Sequence, residues 1–397
     1  MLTVFASALA YSLVLPVVPD LVKHSNVEDV ASTTGTLMAA YTIATVLLSP
    51  LWGWLLDRWS ARTILTLGVA GQGVIVLLLL VPNTLMGLYG IRAFQGAFAA
   101  AVVPAVLTLA AQITEPDRHG LAVARATRAA LLGGLVGPLV GGVLARGSDL
   151  RLPLIVASLL LLTSVAAARR GSEGEASRRA ITLEGAVPRS SGVLARLAFA
   201  AVAAGLAMGA MEVGIAVRGR EVLGLNSASI GLMFFGCGVV MILVQSLAFR
   251  PQRDAFGLWR LLWPAFVVSA VGLAMLMMAN QAWSLSVVVA LVAAGGGVLM
   301  PTISLWIVRS AGRSHGLQLG LRAALGGFGQ AAGAVAAGYA FRAQAPALVI
   351  ALMLVAATLV AAWLVRRRPT PEVSSAGAAP VTGRSVLHAP TPRRLSP

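Results

Sequence analysis

Titratable side chains are scarce inside the apolar runs of this 397-residue chain, and those few define the chemistry on offer. Glu212 is the one carboxylate well inside such a run. On a helix it would lie about 9 Å before Arg218. Proton coupling needs a titratable group that exchanges its proton in two differently accessible states. Glu212 suits that role if a proton and a cationic ligand compete for it. The alternative is a carboxylate in a wet vestibule or tied to an arginine. Arg92 lies inside another apolar run. A guanidinium there is costly unless it faces a bundle interior or water, so Arg92 is a second candidate. Hydrogen bonding to backbone carbonyls is its alternative. Arg128 and Arg322 occupy equivalent places nearer the ends of two runs and are expected to snorkel. If they point inward instead, an anionic or neutral polar ligand is favoured over a cation. Asp20, at the end of the first run, reads as interfacial.

The elements that must position these groups follow from composition. Apolar residues make up 58% of the chain, charged residues 11%, and the mean hydropathy is +0.87. Soluble domains carry roughly a quarter charged residues. A soluble, disordered or coiled-coil protein is excluded. So is an outer-membrane barrel, whose strands alternate polar and apolar residues. A helix of about 20 apolar residues crosses about 30 Å of hydrocarbon. We read twelve such spans at 2–22, 33–56, 63–82, 84–112, 121–145, 151–168, 195–217, 227–249, 258–279, 282–308, 316–341 and 344–365. Met1 leads straight into the first, without the basic segment of a signal peptide.

The net charge of +16 does not imply nucleic acid, because the basic residues sit mostly in short loops. Lys23, Arg146, Arg151, Arg218, Arg220 and Arg342 fall on one side. Far more fall on the other, among them Arg58, Arg62, Arg118, Arg169, Arg250, Arg253, Arg309 and Arg366 to Arg368. Both termini are therefore expected in the cytoplasm, in a multi-pass protein of the cell (inner) membrane. The tryptophans Trp52, Trp54, Trp59, Trp259, Trp263, Trp283, Trp306 and Trp363 fall near predicted interfaces, as an aromatic belt does. The 42 glycines suit close helix packing in lipid.

The spans divide into an N-terminal bundle of six (1–168), a charged linker (169–194), a C-terminal bundle of six (195–365) and a disordered tail (366–397). The halves repeat. Ser32 to Arg58 aligns without gaps on Ser227 to Arg253, and the "RAALLGG" beginning at Arg128 recurs as "RAALGG" at Arg322. A parallel repeat of this kind places a site between two bundles at mid-depth.

Other classes find little support. The histidines His24, His119, His315 and His388 are scattered, and no H-E-x-x-H occurs. No phosphate-binding G-x-x-x-x-G-K-[ST] occurs either, which excludes a primary pump. The lone Cys237 cannot form an intramolecular disulfide and reads as packing. The chain is read as no enzyme, with no cofactor and no metal.

Three motifs converge on one family. "GWLLDRWSAR", Gly53 to Arg62, supplies Gly53, Asp57, Arg58 and Arg62 at the spacing G-x-x-x-D-R-x-G-R-[KR], with Ser60 and Ala61 as departures. "LYGIRAFQGAFAA" supplies Arg92, Gln95 and Gly96 as R-x-x-Q-G. "GGLVGPLVGG" supplies Gly133, Gly137, Pro138, Gly141 and Gly142 as G-x-x-x-G-P-x-x-G-G. The sequence thereby resembles the major facilitator superfamily, and within it the twelve-helix drug:proton antiporters. The resemblance covers roughly residues 1–365. It implies alternating access, a gate at Asp57, Arg58, Arg62 and Gly53 whose carboxylate meets the start of span eleven near Ser314 to Gly316, and proton transfer involving Arg92. The alternative for Asp57 is a simple loop ion pair. The glycine–proline motif implies antiport and a close, bendable helix contact. One departure stands out: Ser7 occupies the place where many relatives carry a carboxylate before the P-x-x-P of Pro16 and Pro19.

The expected function is proton-coupled efflux of a small amphipathic drug-like compound or metabolite. The alternative is uptake or uniport of an anionic metabolite. Expected substrate-lining residues are Tyr11, Met38, Tyr41, Gln95, Met208, Met211, Phe234, Phe235 and Gln330. Methionines and aromatics adapt to varied apolar shapes. The partners implied are a small molecule, protons and the lipid bilayer, without nucleic acid, for a monomer.

Overall fold

The computed structural model describes residues 1–397 except 24–28, 57, 82–83, 114–118, 146–150, 170–190, 250–254, 277, 311–314, 343 and 367–397. Its secondary structure, among the described residues, is helical throughout. In chain order the long helices are α1 (Leu2–Lys23), α2 (Val30–Leu56), α3 (Ala61–Leu78), α4 (Leu85–Ile113), α5 (His119–Leu144) and α6 (Arg151–Arg169). The second half repeats the set as α7 (Ser191–Val213, prolonged by a π-helical turn over Gly214–Val222), α8 (Ser227–Ala248), α9 (Leu262–Leu276), α10 (Ala282–Ser310), α11 (His315–Arg342) and α12 (Gln344–Arg366). Eight of the described helices are long and apolar enough to cross a membrane. Together these form the twelve-helix, two-bundle architecture expected from the sequence.

Local chemistry sets several helix starts. Ser60 precedes α3, and its Oγ accepts from Thr63 N at 3.1 Å. The serine that replaces the second glycine of the loop motif thus serves as a helix N-cap. Asn226 caps α8 by accepting from Ser229 N at 2.8 Å, and Asp29 accepts from Ser32 N at 3.1 Å at the start of α2. Each cap satisfies a backbone donor that the helix itself cannot.

Helix contacts repeat with the sequence. In the first half α1 packs on α5 and α6, α2 on α4, and α3 on α4 and α6. In the second half α7 packs on α11 and α12, α8 on α10, and α9 on α10 and α12. Glycines show the same correspondence. A Cβ at Gly133 would strike Phe5 O, and one at Gly137 would meet Leu9 O; Gly329 faces Val202 O and Gly333 faces Leu206 O in the same manner. The bundles join through two symmetry-equivalent contacts, α2 on α11 and α5 on α8.

Two tryptophans depart from the belt. Trp259 and Trp306 are 1% exposed and meet edge to face within the C-terminal bundle, ring centroids 4.7 Å apart. They fill core volume. Trp52 is half-buried and donates to Ala97 O at 2.6 Å, tying α2 to α4. Trp54, Trp59, Trp263, Trp283 and Trp363 are exposed, as membrane-interface anchors require.

Candidate functional site

Glu212 sits on α7 about two thirds of the way along the helix and faces the seam between bundles. Gln330 on α11 donates through Nε2 to Oε1 at 2.9 Å and Oε2 at 3.0 Å. From the opposite bundle Tyr11 on α1 donates through Oη to Oε2 at 3.4 Å. The Tyr11 ring stacks on Tyr41 of α2, with centroids 4.5 Å apart. Tyr41 lies under the guanidinium of Arg92, its centroid 5.1 Å from Cζ. Arg92 Nη1 donates in turn to Gln95 Oε1 at 2.8 Å, both on α4. The expected proton-coupling pair, Glu212 and Arg92, thus stands at the two ends of one chain of contacts through Tyr11 and Tyr41. Four of the residues expected to line the substrate path, Tyr11, Tyr41, Gln95 and Gln330, belong to it.

Arg92 and Gln95 are wholly buried. Among the described residues, Arg92 Nε and Nη2 and Gln95 Nε2 have no hydrogen-bond partner. Unpaired buried donors are costly, so this end of the cluster is polar and short of acceptors. The alternative of a carboxylate tied to Arg218 is not what the structure shows. Arg218 turns into its own bundle, where Nε donates to Ala279 O at 2.6 Å and Nη2 to Asn280 Oδ1 at 2.8 Å.

The remaining expected lining residues flank this chain less directly. Met211 is buried one position before Glu212, in contact with Cys237, whose sulfur lies 4.0 Å from its own. Met208 leans over Gly296 of α10. Phe234 and Met38 are buried and Phe235 half-buried. Arg128 is exposed on α5; the Arg322 side chain lies outside the described residues.

Ser7 donates to Gln72 Oε1 at 2.8 Å in a buried contact between α1 and α3. This neutral pair occupies the place of the carboxylate that many relatives carry. Gln72 was not singled out in the sequence, because a lone glutamine in an apolar span gives no pattern.

The glycine–proline motif gives α5 two close-packed faces. Gly133, Gly137 and Gly141 lie against α1, where added Cβ atoms would meet Phe5 O, Ser12 Oγ and Leu13 O. Gly142 lies against Ser227 O of α8, and Gly231 of α8 lies against Pro138 O. The motif therefore joins a contact within one bundle to a contact across the seam. In the loop motif, Asp57 and Ser314 lie outside the described residues. Arg58 covers Trp54, with Cζ 3.5 Å from the ring centroid, and Arg62 is half-buried. At Gly53 a Cβ would meet nothing within 4 Å.

A sequence model of the Major Facilitator Superfamily matches residues 1–258. The chain belongs to the major facilitator superfamily. Its relatives include "Multidrug resistance protein 1" of Bacillus subtilis, 22% identical over 85% of this chain and 87% of that protein. Another is "Tetracycline resistance protein, class C" of Escherichia coli, 26% identical over 80% of this chain and 82% of that protein. Among solved structures, the human organic anion transporter MFSD10 (TETRAN) superposes with a TM-score of 0.64 at 17% identity, covering 92% of this chain and 97% of that one. An inward-facing, unoccupied bacterial homologue of the lysosomal transporter Spinster gives 0.66 at 14% identity, covering 92% and 91%. The structural likeness establishes the facilitator fold. Facilitators are membrane transporters of small molecules, and this chain is one of them.

Proposed function

We propose that this facilitator exports a small amphipathic compound against proton entry, by alternating access, in the cell membrane with both termini cytoplasmic. The observation that carries the reading is the bonding of Glu212 from both bundles, by Gln330 on one side and Tyr11 on the other. An ionised carboxylate accepts from both partners; protonation removes part of that acceptor capacity and loosens the tie between bundles. A cationic or polar group on the substrate that needs the carboxylate competes with the proton. Arg92 serves as the fixed positive charge at the other end of the tyrosine pair. Asp57, Arg58 and Arg62 serve the gate on the linker side, and Gly137 with Pro138 the bending contact of α5. The relatives named for multidrug and tetracycline resistance support export as the direction.

A second reading is favoured by one observation. The unpartnered donors of Arg92 and Gln95 suit an acceptor-rich, anionic metabolite, carried without proton exchange. Both readings meet one test. Inverted membrane vesicles holding an imposed pH gradient receive a panel of cationic, neutral and anionic amphiphiles. Antiport predicts that a compound dissipates the gradient with the wild type and fails to do so with Glu212→Gln. Transport of a labelled anion with no proton movement across the panel overturns antiport and selects the second reading.

A further inference from the structure

A second polar cluster joins the bundles at the helix ends farthest from the chain termini, about three helical turns beyond the Glu212 site along α1. Asp20 of α1 is a charged residue only 4% exposed. Arg220 Nη2 lies 2.7 Å from its Oδ1, and Ser227 Oγ donates to Oδ2 at 3.0 Å. At the rim, Lys23 Nζ lies 2.8 Å from Glu221 Oε1, both partly exposed. Asp20 and Lys23 belong to the N-terminal bundle. Arg220 and Glu221 stand on the π-helical turn of α7, and Ser227 opens α8. Every one of these bonds therefore crosses the seam.

The turn is held firmly on its own side. Leu223 N donates to Arg218 O at 3.1 Å, the five-residue step of a π-helix. Arg218 anchors the turn to Ala279 and Asn280, while Arg220 Nη1 also donates to Leu225 O at 3.1 Å. Two rigid bodies thus present opposite charges to each other. The surrounding seam is backbone on backbone: Gly142 against Ser227, Gly231 against Pro138, and Gly35 against Ala334 and Gly338. At these points backbone meets backbone, and the polar ties add to the side-chain contacts of the seam in fixing its register. An ion pair suits a reversible tie. Its desolvation cost in the closed state offsets much of its Coulomb gain, and both groups regain water when the seam parts. Removing one partner is a different matter, because a charge is then left buried without compensation.

We propose that Asp20, Arg220 and Ser227 form the lock that holds this face of the transporter shut, and that its rupture is a step of every transport cycle. In the proposed orientation this is the outward-facing gate. It complements the gate expected at Asp57 on the linker side. The proposal needs alternating access but not the choice of proton or substrate.

The test uses the purified full-length chain in lipid nanodiscs with Cys237→Ala as background. Spin labels at Met86→Cys, at the far end of α4, and Met278→Cys, in the turn just past α9, both well exposed, report the far-side separation by pulsed electron resonance. A second pair at Leu67→Cys and Trp263→Cys reports the linker side. Arg220→Gln and Asp20→Asn are expected to raise the far-side-open population roughly tenfold relative to the closed one, with the linker side narrowing in return. The charge exchange Asp20→Arg with Arg220→Asp is expected to restore most of the closed population, and Ser227→Ala to give a smaller shift. A misfolded variant would broaden both distances without that reciprocity. Unchanged far-side distances in both single variants, or a charge exchange that restores nothing, overturn the lock. A responsive lock in a protein that moves no protons removes the antiport reading and leaves the lock intact.

Discussion

Glu212 owes its interest to its neighbours more than to its burial. Gln330 holds both of its oxygens, whereas the Tyr11 hydroxyl makes a single long bond at 3.4 Å. Glu212→Gln keeps the shape and removes the titration. It should abolish substrate-driven proton movement while leaving a folded protein, as size-exclusion profiles would show. Gln330→Leu should weaken coupling more than Tyr11→Phe, because a hydrogen bond to a charged group contributes about 1.5–3 kcal/mol and a long one less. Proton-flux rates at matched protein density separate the two. Arg92 stood out in the sequence by its motif, and Glu212 by its isolation in an apolar run. The tyrosine bridge between them was legible only as two separate aromatic residues, since pairing across a seam depends on the rotation of α1 against α2. Asp20 was misread as interfacial. With Phe5 matched to Val202, its partner Arg220 falls opposite Lys23 and not Asp20, so superposing the halves does not reveal the pair.

Helix packing is where the glycines diverge in role. Gly137 and Gly141 are pressed against α1, so a Cβ there meets backbone or a side chain that cannot withdraw. Gly137→Val should cost about 1–3 kcal/mol of stability through overpacking, seen as a lower melting temperature in detergent. Gly134→Ala, next to the same motif but with nothing within 4 Å of its Cβ, should leave the melting temperature unchanged. Equal losses at both positions would mean that glycine acts on α5 through backbone flexibility and not through close approach. Gly53 resembles Gly134 in having open space around it. The motif spacing was legible, but which motif glycine touches a neighbour was not, because that depends on inter-helix distance. The π-helical turn at Gly214–Val222 was likewise invisible. Its residues read as an ordinary helix end, and Arg218 and Arg220 within it are tied to other elements.

At the scale of the molecule, the sequence repeat reappears as a repeat of helix contacts, with α1 on α5 matched by α7 on α11. Fold class, helix order and the seam between bundles were all legible, because hydropathy and an internal repeat constrain topology strongly in a membrane. Which side is shut was not, since two states share one sequence. The basic residues predict that the far ends of the helices face outward. Met86→Cys, 80% exposed at the start of α4, should therefore react with a membrane-impermeant maleimide added to intact cells, while the buried Cys237 should not. Labelling of Met86→Cys only after the cells are opened would invert the topology. The central claim is that a proton and the substrate compete at Glu212. It is tested most directly by proton release from purified protein in weakly buffered detergent, on adding the amphiphile that dissipates the vesicle gradient. The account predicts release of up to one proton per bound ligand from the wild type and none from Glu212→Gln at equal ligand binding. Equal release from both proteins, or binding with no release from the wild type, would contradict it.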